Sequence, residues 1–129
     1  MPEQERRQLR ERVLALPAVT ERLSHGAPCF FVGDKWPVCY FHDLDFDDRA
    51  RVSLMCPAPY GVAGGLARLR PGRFYRPATS ANGVFRDWLG MFLDETDCEP
   101  VDWDEVAAIV EDAYRLVAPK RLVTRLDDH

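Results

Sequence analysis

At 129 residues, with 47% hydrophobic and 29% charged side chains, the chain is long enough for one core and too short for two, so residues 1–129 are expected to form a single domain. A formal net charge of -4 excludes a molecule held to nucleic acid by an overall basic surface and leaves only a local patch. The charged start, Pro2-Glu3-Gln4-Glu5-Arg6-Arg7, and the lack of any apolar run near the ~18 residues of a membrane span argue against a signal peptide or membrane segment, so no membrane partner and a cytoplasmic location are expected.

In chain order, Glu3 to Leu16 predicts a helix with Leu9, Val13, Leu14 and Leu16 turned inward and Arg6, Arg7, Arg10 and Arg12 mostly outward. Pro17 ends it, and a polar link follows. Cys29 to Val32 and Trp36 to Phe41 then flank Gly33-Asp34-Lys35, which predicts a β-hairpin with the turn at the glycine and aspartate. His42 to Ala50 is acidic and predicts a loop, and Arg51 to Cys56 a third strand stopped by Pro57 and Pro59. Tyr60 to Arg70 reads as a weak helix carrying Val62, Leu66 and Leu69, diluted by Gly61, Gly64 and Gly65.

Pro71 and Pro77 bound an irregular stretch. Val84 to Leu93 predicts a strand after an Ala81-Asn82-Gly83 turn. The last predicted helix has Asp102 as cap, Glu105 as the partner of a capping box, and Trp103, Val106, Val110, Ala113, Tyr114 and Val117 as its apolar face, with Pro119 as its stop. Its outer face carries Asp104, Glu105, Glu111 and Asp112, which would repel phosphate. Lys120 and Arg121 follow where the dipole of this helix favours cations, and Leu122 is expected to pack the chain back.

Several of these segments resemble the MmcQ/YjbR-like family of small bacterial proteins. The resemblance rests on His25-Gly26-Ala27-Pro28-Cys29-Phe30, Val32-Gly33-Asp34-Lys35, Ala58-Pro59-Tyr60-Gly61-Val62, Trp88-Leu89-Gly90 with Leu93-Asp94, and Val101 to Val106 followed by Ala113 to Leu122. It implies a CyaY-like α+β fold, an antiparallel sheet with helices packed on one side in two layers, and a DNA-binding role by analogy to a "double wing" arrangement. It transfers no catalytic residue. The chain departs from the family pattern at Asp87, where a glycine is common, and at Pro77-Ala78-Thr79-Ser80.

The cations best placed to meet phosphate are Arg68, Arg70, Arg73 and Arg76, interleaved with Phe74 and Tyr75, together with Lys35 at the hairpin tip and Lys120 and Arg121. This is the candidate DNA-binding set, and the binding it predicts is weak and salt-dependent. The alternative is a protein- or small-ligand-binding module using the sheet face around Trp36 and Trp88. A third reading places a hard cation on the acidic run from His42 to Asp48, where Asp43, Asp45 and Asp47 occupy the first, third and fifth places of a calcium loop. Asp48 and Leu54 then break the pattern at its sixth and twelfth places. Frataxin-like proteins share the implied topology and bind iron through acidic helices, whereas the first helix here is rich in arginine.

No catalysis is expected. His25 has no serine or cysteine nucleophile assigned to it and reads as a structural histidine, and the chain carries no phosphate-loop, dinucleotide or His-Glu-x-x-His motif, so no cofactor and no metal ligand set is assigned. Cys29, Cys39, Cys56 and Cys98 form no Cys-x-x-Cys pair and read as buried thiols.

Overall fold

The computed structural model describes residues 2–46, 49–78, 86–94 and 100–128, without the side chains of residue 2 and residues 44–46, 49 and 50. Its described residues form a six-stranded antiparallel sheet in the order β1-β2-β3-β4-β6-β5 and four helices. The α+β class and the helices on one side both agree with expectation.

Helix α1 spans Pro2–Leu14 and buries Leu9 and Val13 completely. Leu14 was expected inside with them but is 39% exposed, because it lies one residue, about 100° of helical turn, from Val13. The link after Pro17 is a strand, β1 (Val19–Ser24), which the sequence pattern did not reveal. Because β1 is an edge strand, it can keep Thr20, Glu21 and Arg22 and still pair with β2 (Ala27–Val32). His25 and Gly26 join them with φ of 53° and 79°, the positive pair that a two-residue hairpin turn of this hand needs.

The predicted hairpin is present. β2 turns through Gly33 and Asp34, both at positive φ, into β3 (Trp36–Phe46), and the Lys35 N–H closes the turn on the Val32 carbonyl at 3.2 Å. β3 continues to Phe46, through part of the expected acidic loop, and pairs with β4 (Arg49–Pro57) from Tyr40↔Met55 to Phe46↔Arg49. The Asp43–Asp45 segment is therefore extended backbone in a ladder, not a loop that wraps a cation, while Asp47 and Asp48 lie outside the described residues.

α2 (Val62–Leu69) starts just beyond β4, and Leu69 at 81% exposure is not on its inner face. β5 (Phe74–Tyr75) and β6 (Trp88–Phe92) complete the sheet. The β6 strand begins later than Val84 suggested. Asp87, just before it, has φ of 63°, a left-handed conformation that glycine adopts at least cost and aspartate tolerates. The Ala81-Asn82-Gly83 turn and Cys98 lie outside the described residues.

α3 (Trp103–Val117) starts as expected, with the Asp102 carboxylate accepting from the N–H groups of Asp104 at 3.0 Å and Glu105 at 3.2 Å. It is not the last helix. Pro119 caps a further one, α4 (Lys120–Asp127), whose Leu122 packs into the core as anticipated. Lys120 and Arg121 thus occupy the first turn of α4, where its own dipole opposes them.

All four helices cover one face of the sheet, over a core that includes Phe30, Val38, Leu54, Leu89, Met91, Val110 and Tyr114. Tyr114 also donates to the Pro17 carbonyl at 2.7 Å, which ties α3 to the entry of β1. The other face has its own smaller cluster, Ala27, Cys29, Phe31, Tyr40 and Met55, flanked by Tyr75 and Trp88. Cys29 stands opposite Tyr40 and Cys39 opposite Phe30, so the two thiols point to different faces and remain free.

Candidate nucleic-acid interface

The seven candidate cations do not form one patch. Arg73 is only 2% exposed, and its Nη1 donates to the carbonyls of Phe92 at 2.8 Å and Asp94 at 2.9 Å. It ties the segment before β5 to the end of β6 and cannot reach a phosphate. Arg70 grips Glu105 with two donors, at 2.6 and 3.2 Å, and its guanidinium lies 5.0 Å from the Phe74 ring centre. The carboxylate expected to close the capping box is therefore engaged by the arginine at the end of α2.

The aromatics interleaved with these arginines also serve the fold. Phe74 is buried in the main core. Tyr75 packs against Phe92 with ring centres 4.8 Å apart, and its hydroxyl meets Ser53 Oγ at 2.7 Å. Phe74 is closed to a base, and Tyr75 is half-buried.

Arg68 and Arg76 are different. Both are exposed, neither makes an ion pair among the described residues, and together they line a cleft of about 250 Å3 with Tyr60, Gly64 and Asp87. Arg68 comes from the last turn of α2 and Arg76 from the residue after β5, so the close packing of α2 on β5 brings them together. Asp87 sets one negative charge against the two positive ones. Tyr60 is 90% exposed at the rim of the cleft and lies before α2, not within the helix that the sequence predicts from Tyr60. Its position between Pro59 and Gly61, outside any apolar stripe, was the available signal.

Lys35 lies at the same end of the sheet. The antiparallel pairings put the β2–β3 turn, the end of β4, the start of β6 and the end of β5 together at that end. Its ammonium stands 4.8 Å from the Trp36 ring centre. Lys120 and Arg121 are exposed, but α4 starts from the end of α3 that Tyr114 ties to β1, the edge opposite β5.

A second, larger cleft of about 580 Å3 lies at the other end of the sheet, lined by Glu3, Arg6, His25, Phe41, His42 and Asp43. His42 stacks on Tyr40 at 5.7 Å, and burial pushes its imidazole below the usual range because the charged ring is desolvated. His25 is exposed in its turn. Among the described residues no three His, Cys, Asp or Glu side chains are grouped so as to hold a metal ion. Of the two tryptophans proposed for a sheet-face site, Trp88 joins the smaller cluster, 6.0 Å from Tyr40, while Trp36 sits at the hairpin base.

The YjbR family model matches residues 14–116. The chain belongs to the YjbR family. The family match takes in all six strands, α2 and nearly all of α3, and with them Lys35, Arg68 and Arg76; it stops before Lys120 and Arg121. No curated protein and no solved structure matches the chain. No helix among the described residues is long and apolar enough to cross a membrane.

Proposed function

We propose that this YjbR-family protein is a non-enzymatic cytoplasmic module that binds DNA weakly through phosphate contacts from Arg68, Arg76 and Lys35, with Lys120 and Arg121, toward the opposite edge of the sheet, outside this surface. The observation that carries the reading is the meeting of Arg68 and Arg76, unpaired among the described residues, in one cleft at the end of the sheet that also presents Lys35. Guanidinium groups without a carboxylate partner keep their forked donors free for phosphate oxygens. The net charge of -4 opposes long-range attraction, so binding is confined to direct contacts and falls steeply with salt.

Fluorescence anisotropy of a labelled random-sequence duplex, titrated at several salt concentrations, tests this. Each phosphate contact contributes about -0.9 to the slope of log K against log salt, so Arg68→Ala with Arg76→Ala, which removes the one phosphate contact of the cleft, should flatten the slope by about one such step. Absence of association even at low salt would remove the reading.

The cleft around His25 and His42 favours a second reading, a small polar ligand. It is the larger cleft and brings two imidazoles, Arg6 and two carboxylates to one opening, the mixed donor and acceptor set that orients a small molecule. Ligand-observed NMR against a library of polar metabolites, with His42→Phe as control, tests it; binding that survives the substitution would place the ligand elsewhere.

A further inference from the structure

The cleft between α2 and the start of β6 carries more than phosphate binding on a duplex requires. Tyr60 is 90% exposed at its rim, the most exposed large hydrophobic side chain among the described residues, next to two guanidinium groups that make no ion pair among them. Phosphate on a duplex needs only the cations; an aromatic ring projecting beside them has nothing to stack on while bases remain paired. Glycine also keeps the floor open where packing does not require it. A methyl at Gly65 would meet nothing within 4 Å, and one at Gly64 only Arg76 Cδ at 3.9 Å, yet both glycines weaken the short helix that carries them.

We infer that this cleft is a seat for single-stranded DNA, in which Arg68 and Arg76 hold one phosphate and the Tyr60 ring stacks on an adjacent unpaired base. The inference rests on the DNA-binding reading and names its preferred strand state. Asp87 sets the limit on affinity: one carboxylate against two guanidiniums leaves a single net positive charge for the phosphate. Stacking then becomes a large share of the binding, and it is sequence-tolerant because every base offers a flat face.

The test compares a labelled oligothymidine of about 12 nucleotides, within the span one small domain covers, with the same strand annealed to its complement. The expected result is single-strand binding tighter by about tenfold, a preference that Tyr60→Ala abolishes and Tyr60→Phe retains, since loss of one stacked base costs about that factor. Tyr60 buries almost nothing, so its removal should leave the circular dichroism spectrum and melting temperature unchanged. Equal or tighter duplex binding overturns the inference and leaves the DNA reading standing. A single-strand preference that survives Tyr60→Ala also overturns it, because the seat is then elsewhere. No binding to either form overturns both.

Discussion

The Tyr75 ring occupies the space that a side chain at Gly90 would fill: a Cβ at Gly90 would collide with Tyr75 Cζ. β5 and β6 are directly paired here, Tyr75 against Gly90, so the ring lies flat over its own cross-strand partner. Its hydroxyl is held by the wholly buried Ser53 of β4, which makes Tyr75 a cross-tie over three strands on the helix-free face. Gly90→Ala must expel the ring from this position, and such overpacking should destabilise the fold by about 1–3 kcal/mol. Urea denaturation checks it, and Tyr75→Phe should cost about 1–3 kcal/mol by leaving the Ser53 hydroxyl unpaired. If both variants unfold at the wild-type urea midpoint, the cross-tie has no energetic role.

The arginines of the 68–76 segment should separate cleanly by experiment. Arg73→Met removes donors from two carbonyls in a buried setting and should destabilise by roughly 2–5 kcal/mol, in the range of broken buried polar networks. Arg68→Ala and Arg76→Ala, both exposed, should stay within about 0.5 kcal/mol of wild type. Arg70→Ala falls between, because its pair with Glu105 is partly solvent-exposed and exposed pairs contribute at most about 1 kcal/mol. Thermal melts of the four variants give the order directly, and an Arg73 variant as stable as Arg68→Ala would contradict the buried role.

How legible each part was follows from where its determinants lie. The β2–β3 hairpin was readable because Gly33-Asp34 supplies a local backbone requirement, and α3 because Asp102 and an apolar stripe are local too. β1 was hidden because an edge strand needs only one partner and one buried face, so its polar residues imitate a link. α4 was hidden because Pro119 reads as a stop, although a residue preceding the first helical turn needs no N–H of its own. The burial of Arg73 could not be read from local sequence at all: its acceptors lie 19 and 21 residues away and arrive only with the β5–β6 pairing. The charge pattern suggested four equivalent arginines, and tertiary structure divided them into two for the fold and two for a cleft.

Cys29, Cys39 and Cys56 should resist modification in the native protein. Burial holds Cys29 up at about 11 and Cys56 at about 12, and raises Cys39 as well, so almost no thiolate forms at neutral pH and none of the three is open to reagent. Iodoacetamide at pH 8 followed by peptide mass spectrometry should leave all three unlabelled until denaturant is added. Labelling of any of them at the rate of a free thiol would show that the sheet opens locally.

His42 gives the fold a pH dependence with a definite sign. Burial against Tyr40 lowers its folded-state pKa below the ordinary 6.5, so the unfolded chain binds the proton more readily than the folded one. Stability therefore rises with pH through this window: the contribution is complete above about 6.5 and is lost as pH falls from 6.5 toward the lowered folded value. His42→Phe can keep the ring contact with Tyr40 without titrating. Urea unfolding at pH 7.5, 6.5 and 5.5 should show the wild-type protein losing more stability over this interval than the variant, while Asp127, whose carboxyl the Arg115 guanidinium holds below its ordinary 3.8, contributes only at lower pH. Identical pH profiles for the two proteins would mean that His42 accepts its proton as easily folded as unfolded, and that the ring is better solvated than its place in the sheet implies.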